Sequence, residues 1–249
     1  MQSIVCVKRV PDSETRVRIA PSGDSLDASG VKYVLNPYDE YAIEEALQRK
    51  EQAGEGSVTV MTVGSEKSAE TLRSAIALGA DEAVLLQAEE SNDGLVVAHA
   101  LAEEIRGRPF DLLLFGKQAI DDDNMQVPQM VAELLELPCV TVVVDLSIEG
   151  SRATARREVE GGHEVVEFSL PAVISAQKGL NTPRRPNLKG IMAAKKKPLE
   201  QKAVDLPASG LELVALSEPP PRPAARIVGE GPDAVSELVR LLQQEAKVL

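Results

Sequence analysis

The sequence predicts an α/β fold built on a doubly wound, mostly parallel sheet. Three observations predict it. Short apolar runs rich in β-branched residues recur through the first half, amphipathic stretches that stop at glycine separate them, and the alternation changes to closely spaced extended runs after Pro138. Strands alternating with helices require crossover connections, and sheets of that kind bind ligands beyond the carboxyl ends of their strands.

The elements follow in order. Residues 3–9, 57–63, 83–86 and 112–115 are the strand candidates. A helix is predicted over 38–53, where Tyr41, Ala42, Ala46 and Leu47 fall near helical spacing before Gly54; a second over 68–78 stops at Gly79. A third over 92–106, with Asn92 and Asp93 as caps, stops at Gly107. Between the first strand and first helix lie an alternating run at 15–20, a turn at 21–24 and an extended run to Val34, which reads as an inserted β-hairpin. After Pro138, extended runs at 140–148, 151–158, 164–170 and 172–175 suit an antiparallel meander or a return of the chain to the main sheet. Residues 1–200 are read as one nucleotide-binding α/β domain that includes a basic segment at 178–197. Residues 201–249 are read as a C-terminal arm with a rigid proline-rich stretch at 219–223 and a helix at 233–247 carrying Val235, Leu238, Val239, Leu241 and Leu242. A helix held beyond such a spacer is expected to pack on another subunit.

Composition excludes several classes. The 249 residues suffice for a substantial core, and Cys6 and Cys139 lie in separate apolar runs that suit reduced core thiols in a reducing compartment. Two cysteines and two histidines make zinc an unpromising ligand, and three Tyr, three Phe and no Trp offer no stacking platform for bases. A net charge of −12 disfavours general nucleic-acid or anionic-membrane binding. No apolar run reaches bilayer length, and the chain enters a strand at once, so a cytoplasmic protein without a targeting segment is expected. Charge is unevenly spread: Lys178, Arg184, Arg185, Lys189, Lys195, Lys196 and Lys197 fall in one segment without an acidic residue. That segment is either a solvated loop or a contact surface.

Neither a dinucleotide fingerprint nor a P-loop is present, but two loops sit where a doubly wound sheet would use them. The first is Asn36-Pro37-Tyr38-Asp39. The Asn36 amide suits an adenine or ribose edge, or else Asn36 or Asp39 caps the helix. The second follows the fourth strand as Gly116, Lys117, Gln118, Ala119, Ile120, Asp121, Asp122, Asp123, Asn124, Met125, Gln126 and Val127, and leads into a further helix. Gly116 permits close approach, Lys117 suits a phosphate, and amides at a helix start hold phosphate oxygens. Three aspartates repel a bare phosphate unless they point away to cap the helix or bind ribose hydroxyls.

Five motifs in order, Val7-Lys-Arg-Val-Pro-Asp12, Asn36-Pro-Tyr-Asp-Glu40, Gly116-Lys-Gln-Ala-Ile-Asp-Asp-Asp123, Arg157-Glu-Val-Glu-Gly-Gly162 and Asn187-Leu-Lys-Gly-Ile-Met-Ala-Ala-Lys-Lys-Lys197, carry a resemblance over residues 3 to about 200. The chain resembles the β subunit of electron transfer flavoprotein. That resemblance implies a Rossmann-like, adenine-nucleotide-binding fold and a heterodimer whose α subunit holds the redox-active FAD, while this subunit holds a structural AMP and catalyses no bond chemistry. It implies an AMP pocket of Cys6, Asn36 to Asp39, Val63 and Gly116 to Val127, with Cys6 and Val63 acting through backbone or else only as sheet core. It implies electrons taken from acyl-CoA and related dehydrogenases and passed to a membrane quinone oxidoreductase. Leu188, with Arg184, Arg185, Lys189, Ile191 and Met192 around it, is implied as the dehydrogenase-docking anchor, and Glu158 as a contact to the α subunit's flavin domain. Two rival readings stay open. One is a bifurcating member whose second FAD oxidises NADH, although such members tend to read Asp-Gly-Asp-Thr where this chain has Asp121-Asp122-Asp123-Asn124. The other is a stand-alone adenosine-nucleotide sensor.

Overall fold

The computed structural model describes every residue except Glu90, Asn92 and Pro223. The Asn92 half of the expected helix cap and the last proline of the 219–223 stretch therefore lie outside the described residues. Nine strands form one sheet in the order β11 (Leu199–Ala203), β5 (Glu82–Gln87), β4 (Ser57–Gly64), β1 (Gln2–Cys6), β6 (Leu112–Gly116), β10 (Ala172–Ala176), β7 (Cys139–Glu149), β8 (Arg152–Val159), β9 (Gly162–Ser169). Pairing is parallel from β11 through β7 and antiparallel from β7 to β9. Both expectations for the segment after Pro138 thus hold: β7, β8 and β9 make a meander, and β10 returns to insert between β6 and β7.

Alternation along the central strands builds two cores. Val5, Val58, Val60, Leu112 and Leu114 face α1 (Pro37–Ala53) and α2 (Ala69–Leu78), while Ile4, Cys6, Met61, Leu113 and Phe115 face α3 (Gly94–Arg106) and α4 (Val127–Leu135). The chain winds outward from β1 through β4 to β5, then crosses to the other side of β1 as β6. The direction of winding reverses between β1 and β6, and the crevice beyond their carboxyl ends is where such sheets receive ligands.

Local chemistry sets the boundaries. Pro37 opens α1 and Gly54 closes it at φ 73, a left-handed conformation that glycine adopts without strain. Asp93 caps α3 by accepting from the Leu95 N–H, and its second carboxylate oxygen accepts from Ser209 Oγ and the Gly210 N–H of the arm. A further arm contact is the Leu216 N–H to the Gly23 carbonyl in the hairpin.

Four elements differ from expectation. The first strand stops at Cys6, and the hairpin pairs at its base, β2 (Arg9–Pro11) with β3 (Tyr33–Leu35); at its tip only Ile19 bridges Leu26. No residue of the alternating run at 15–20 is buried, and Val17 stays exposed. Second, β11 extends the sheet past residue 200. Its burial pattern is almost wholly exposed, so its sequence carries no apolar signal. Third, the basic segment contains a helix, α5 (Leu188–Ala194). Fourth, Cys139 is exposed at the start of β7, not a core residue like Cys6. The C-terminal helix forms as α6 (Val235–Gln244) after a short 3-10 turn, and none of its side chains is buried.

Candidate functional site

Asp39 organises the crevice. Its side chain lies at the start of α1, and its oxygens accept from the Lys8 N–H just beyond β1 (2.7 Å), from the Gly116 N–H at the end of β6 (3.1 Å), and from Asn36 Nδ2 (2.9 Å). One carboxylate therefore ties together the two strand ends that flank the switch point. Gly116 is required by this packing: a Cβ there would overlap Asp39 Oδ1 and the Tyr38 backbone. The close approach expected at Gly116 is thus made by this chain's own α1.

Asn36 is buried and spent in the same way. Its Nδ2 donates to the Gln118 carbonyl at 2.9 Å as well as to Asp39, and its Oδ1 accepts from the Ile120 N–H at 3.3 Å. It neither caps α1 with its side chain nor offers a free amide; it shapes the loop that follows β6.

Two of the three aspartates of that loop are accounted for by a residue outside the candidate set. Lys8 Nζ donates to Asp121 Oδ1 and to Asp122 Oδ2, each at 2.9 Å, and Asp122 Oδ1 also accepts from the Asn124 N–H. Burial works against the Lys8 charge, but the two carboxylates outweigh it and raise its pKa above the ordinary lysine value. Asp123 Oδ1 accepts from Gln118 Nε2. Asp123 and Met125 take φ values of 52 and 55, so the backbone doubles back through the left-handed region before α4. No side chain caps α4 at Gln126, and Pro128 follows Val127 within its first turn. Lys117 lies over the Tyr38 ring at 5.2 Å. Ala119 and Ile120 are half-buried, and Asn124 is exposed. Cys6 and Val63 end β1 and near-end β4 on the side of the sheet facing α3; burial first, then the Asp39 charge, pushes the Cys6 thiol well above its ordinary pKa. Cys6 is therefore a neutral core thiol.

Burial is the main influence on Asp39 too. It pushes the carboxyl up to about 7, against the donors from Lys8, Asn36 and Gly116 and the Lys8 charge, which pull it down. A folded pKa above the unfolded one means the folded state holds the extra proton. The contribution is full below the ordinary value of 3.8 and is lost as pH rises through about 7. The expected result is that stability to urea falls less steeply between pH 5 and about 8 in Asp39→Asn than in wild type. Parallel slopes would contradict the assignment.

The basic segment has a different character. Arg184 Nε donates to Glu44 Oε2 at 2.7 Å and Nη1 to Glu51 Oε1 at 2.7 Å, so its charge is neutralised against α1. Among the described residues no ion pair engages Arg185 or Lys189, and both are exposed. Leu188, Ile191 and Met192 are 74%, 44% and 62% exposed. At spacings of three and four they share one helix face, which a loop would not guarantee. Glu158 is exposed and accepts from Gln177 Nε2 at 2.8 Å. Arg157 beside it donates to the Thr141 carbonyl and hydroxyl, next to Val142 at φ 61.

Sequence reasoning therefore missed Lys8 and Gln177. Lys8 stood inside the motif Val7-Lys-Arg-Val-Pro-Asp12, directly after a strand, and that position was the available signal. Gln177 had none, since its role comes only from β10 lying beside the β7–β8 hairpin.

Comparison with known proteins places these features in a family. A family model described as an electron transfer flavoprotein domain matches residues 25–207. The chain is 40% identical over 260 residues to the electron transfer flavoprotein subunit beta of Bacillus subtilis (strain 168), with 100% of each chain covered. It is 40% identical over 249 residues to the same-named protein of Syntrophomonas wolfei, covering 100% of this chain and 98% of the relative. To the same-named protein of Mus musculus it is 38% identical over 246 residues, covering 96% of each. With an α/β sheet wound as expected and relatives matched along their whole length, the chain belongs to the electron transfer flavoprotein β-subunit family.

Proposed function

We propose that this chain is the AMP-bearing, non-catalytic subunit of a heterodimeric electron carrier. The observation that carries the reading is the arrangement around Lys8, Asn36 and Asp39, which fixes the 116–127 loop at the switch point and pairs two of its aspartates with a lysine. Residues 36–39 and 116–127 hold the nucleotide, with Cys6 and Val63 contributing through backbone because their side chains pack into the sheet. The amino end of α4, with no side-chain cap, supplies N–H groups and the positive end of the helix dipole for phosphate oxygens. Lys8 pairs with both Asp121 and Asp122 and offsets part of their repulsion.

Electron-carrying chemistry is supplied by FAD bound to the α subunit. This chain supplies scaffold, nucleotide and two contact surfaces. Glu158, oriented by Gln177, meets the α subunit's flavin domain, and the exposed side chains of α6 pack on that subunit. Leu188, Ile191 and Met192 enter an apolar pocket on an acyl-CoA or related dehydrogenase, and Arg185 and Lys189 steer the approach. Electrons then pass to a membrane quinone oxidoreductase.

The test is the choice of electron donor. In the heterodimer with its α subunit, an acyl-CoA dehydrogenase and its substrate are expected to bleach the flavin absorbance, and NADH alone is not. Bleaching by NADH would favour a bifurcating subunit. Failure to form a heterodimer at all would favour a stand-alone nucleotide sensor.

A further inference from the structure

The docking helix is too short to stand alone. A helix of seven residues cannot recover its nucleation cost from its own hydrogen bonds, so its order has to come from tertiary contacts. Such contacts run along the helix, and Arg73 and Ala77 of α2 supply two of them. Arg73 Nη1 donates to the Ala194 carbonyl at 2.5 Å and to the Lys197 carbonyl at 2.7 Å. Ala194 ends α5, where carbonyls have no partner within the helix and where the dipole favours a cation, and Lys197 follows just beyond it. At mid-helix, Gly190 lies directly against the Ala77 carbonyl of α2, and a Cβ at 190 would overlap that oxygen. At the amino end, the Asn187 side chain accepts from the Gly190 N–H at 2.8 Å. Ala194 is buried in the core that includes Leu72, Ala75 and Ile76 of α2, and Lys197 Nζ donates to the Ala80 carbonyl just beyond α2.

We propose that Arg73 is a positioning residue for dehydrogenase docking: from α2 it fixes the carboxyl end of α5, with Gly190 as the seat, and so sets the direction in which Leu188, Ile191 and Met192 point. The proposal rests on the docking reading above. The contacts of Arg73 that bear on α5 are to backbone carbonyls of this chain. Arg73 acts by removing an ordering cost, because a helix already fixed in its bound conformation gives up less entropy on contact than one that must form there. The partner surface this suits is an apolar pocket rimmed by carboxylates, since Lys189, Lys195 and Lys196 surround the apolar face and are exposed. Arg184 completes the mounting upstream by pairing with Glu44 and Glu51 of α1.

The experiment uses the α/β heterodimer and an acyl-CoA dehydrogenase that reduces the wild-type complex, with rates measured against heterodimer concentration. Arg73→Met is expected to raise the apparent KM about tenfold while kcat at saturation, flavin content and Tm stay close to wild type. Arg73→Lys, which keeps a cation at the carbonyls, is expected to recover most of the loss. Gly190→Ala, acting at the other contact, is expected to give the same split between KM and kcat. Hydrogen exchange is expected to quicken at residues 191–197 in Arg73→Met and not elsewhere. If Leu188→Ala raises KM and neither Arg73→Met nor Gly190→Ala does, the positioning role is overturned and docking stands. If Leu188→Ala also leaves KM unchanged, the docking reading falls and the proposal with it. A fall in kcat and Tm in both Arg73→Met and Gly190→Ala would make these residues structural only and would equally overturn the proposal.

Discussion

Replacing Asp39 with alanine is expected to cost about 3 kcal/mol of stability and to empty the nucleotide site. The side chain accepts from two backbone N–H groups and the Asn36 amide in a buried setting, so its removal leaves three donors without their acceptor at once. Each such group costs on the order of 1–3 kcal/mol, and relief of the buried charge offsets part of the sum. The consequence spreads through Asn36, whose amide then loses the partner that orients it toward the Gln118 carbonyl and the Ile120 N–H. Asp39→Asn keeps one acceptor but turns a donor toward an N–H, and an intermediate loss is expected. Urea unfolding and the nucleotide retained after gel filtration measure both effects. An Asp39→Ala protein as stable as wild type and still carrying nucleotide would remove this carboxylate from the account.

The second large effect is expected at α5. Leu188 is 74% exposed, so truncating it deletes nothing that the free chain uses. Leu188→Ala is expected to weaken dehydrogenase affinity by about 2 kcal/mol, roughly 30-fold, mostly through a faster dissociation rate, with folding intact. Neutralising Arg185 and Lys189 is expected to slow association instead, by an amount that shrinks as salt screens the field. Arg184 separates from them. Glu44 and Glu51 already satisfy its charge, so Arg184→Ala is expected to loosen the mounting of the segment and to leave the salt dependence alone. Stopped-flow flavin reduction at two ionic strengths distinguishes these cases. A wild-type rate for Leu188→Ala at limiting dehydrogenase would leave the basic segment as a solvated surface.

The sheet was legible where burial wrote it into the sequence. Runs such as Leu112–Gly116 are buried at every position and had to be apolar, and Gly54 and Gly79 marked helix ends through backbone conformation. Elements held by distant polar contacts were not legible. β11 lies on an exposed edge and is tied to α3 and the residues just after it by the distant ion pairs Glu200–Arg108 and Lys202–Glu104, and the carboxyl end of α5 is met by Arg73, more than a hundred residues earlier. The site divides along the same line. The candidate position was read from the alternation of strands and helices and from Gly116 at the end of β6, whereas the pairing of Asp121 and Asp122 depends on Lys8, and nothing local to those two residues announces it.

The reading turns on which nucleotide this subunit carries. Denaturing the α/β heterodimer, identifying the released nucleotides by mass and counting them per heterodimer tests it most directly. One AMP and one FAD are expected, with the AMP remaining on this chain when the subunits are separated. Two FAD and no AMP would contradict the account.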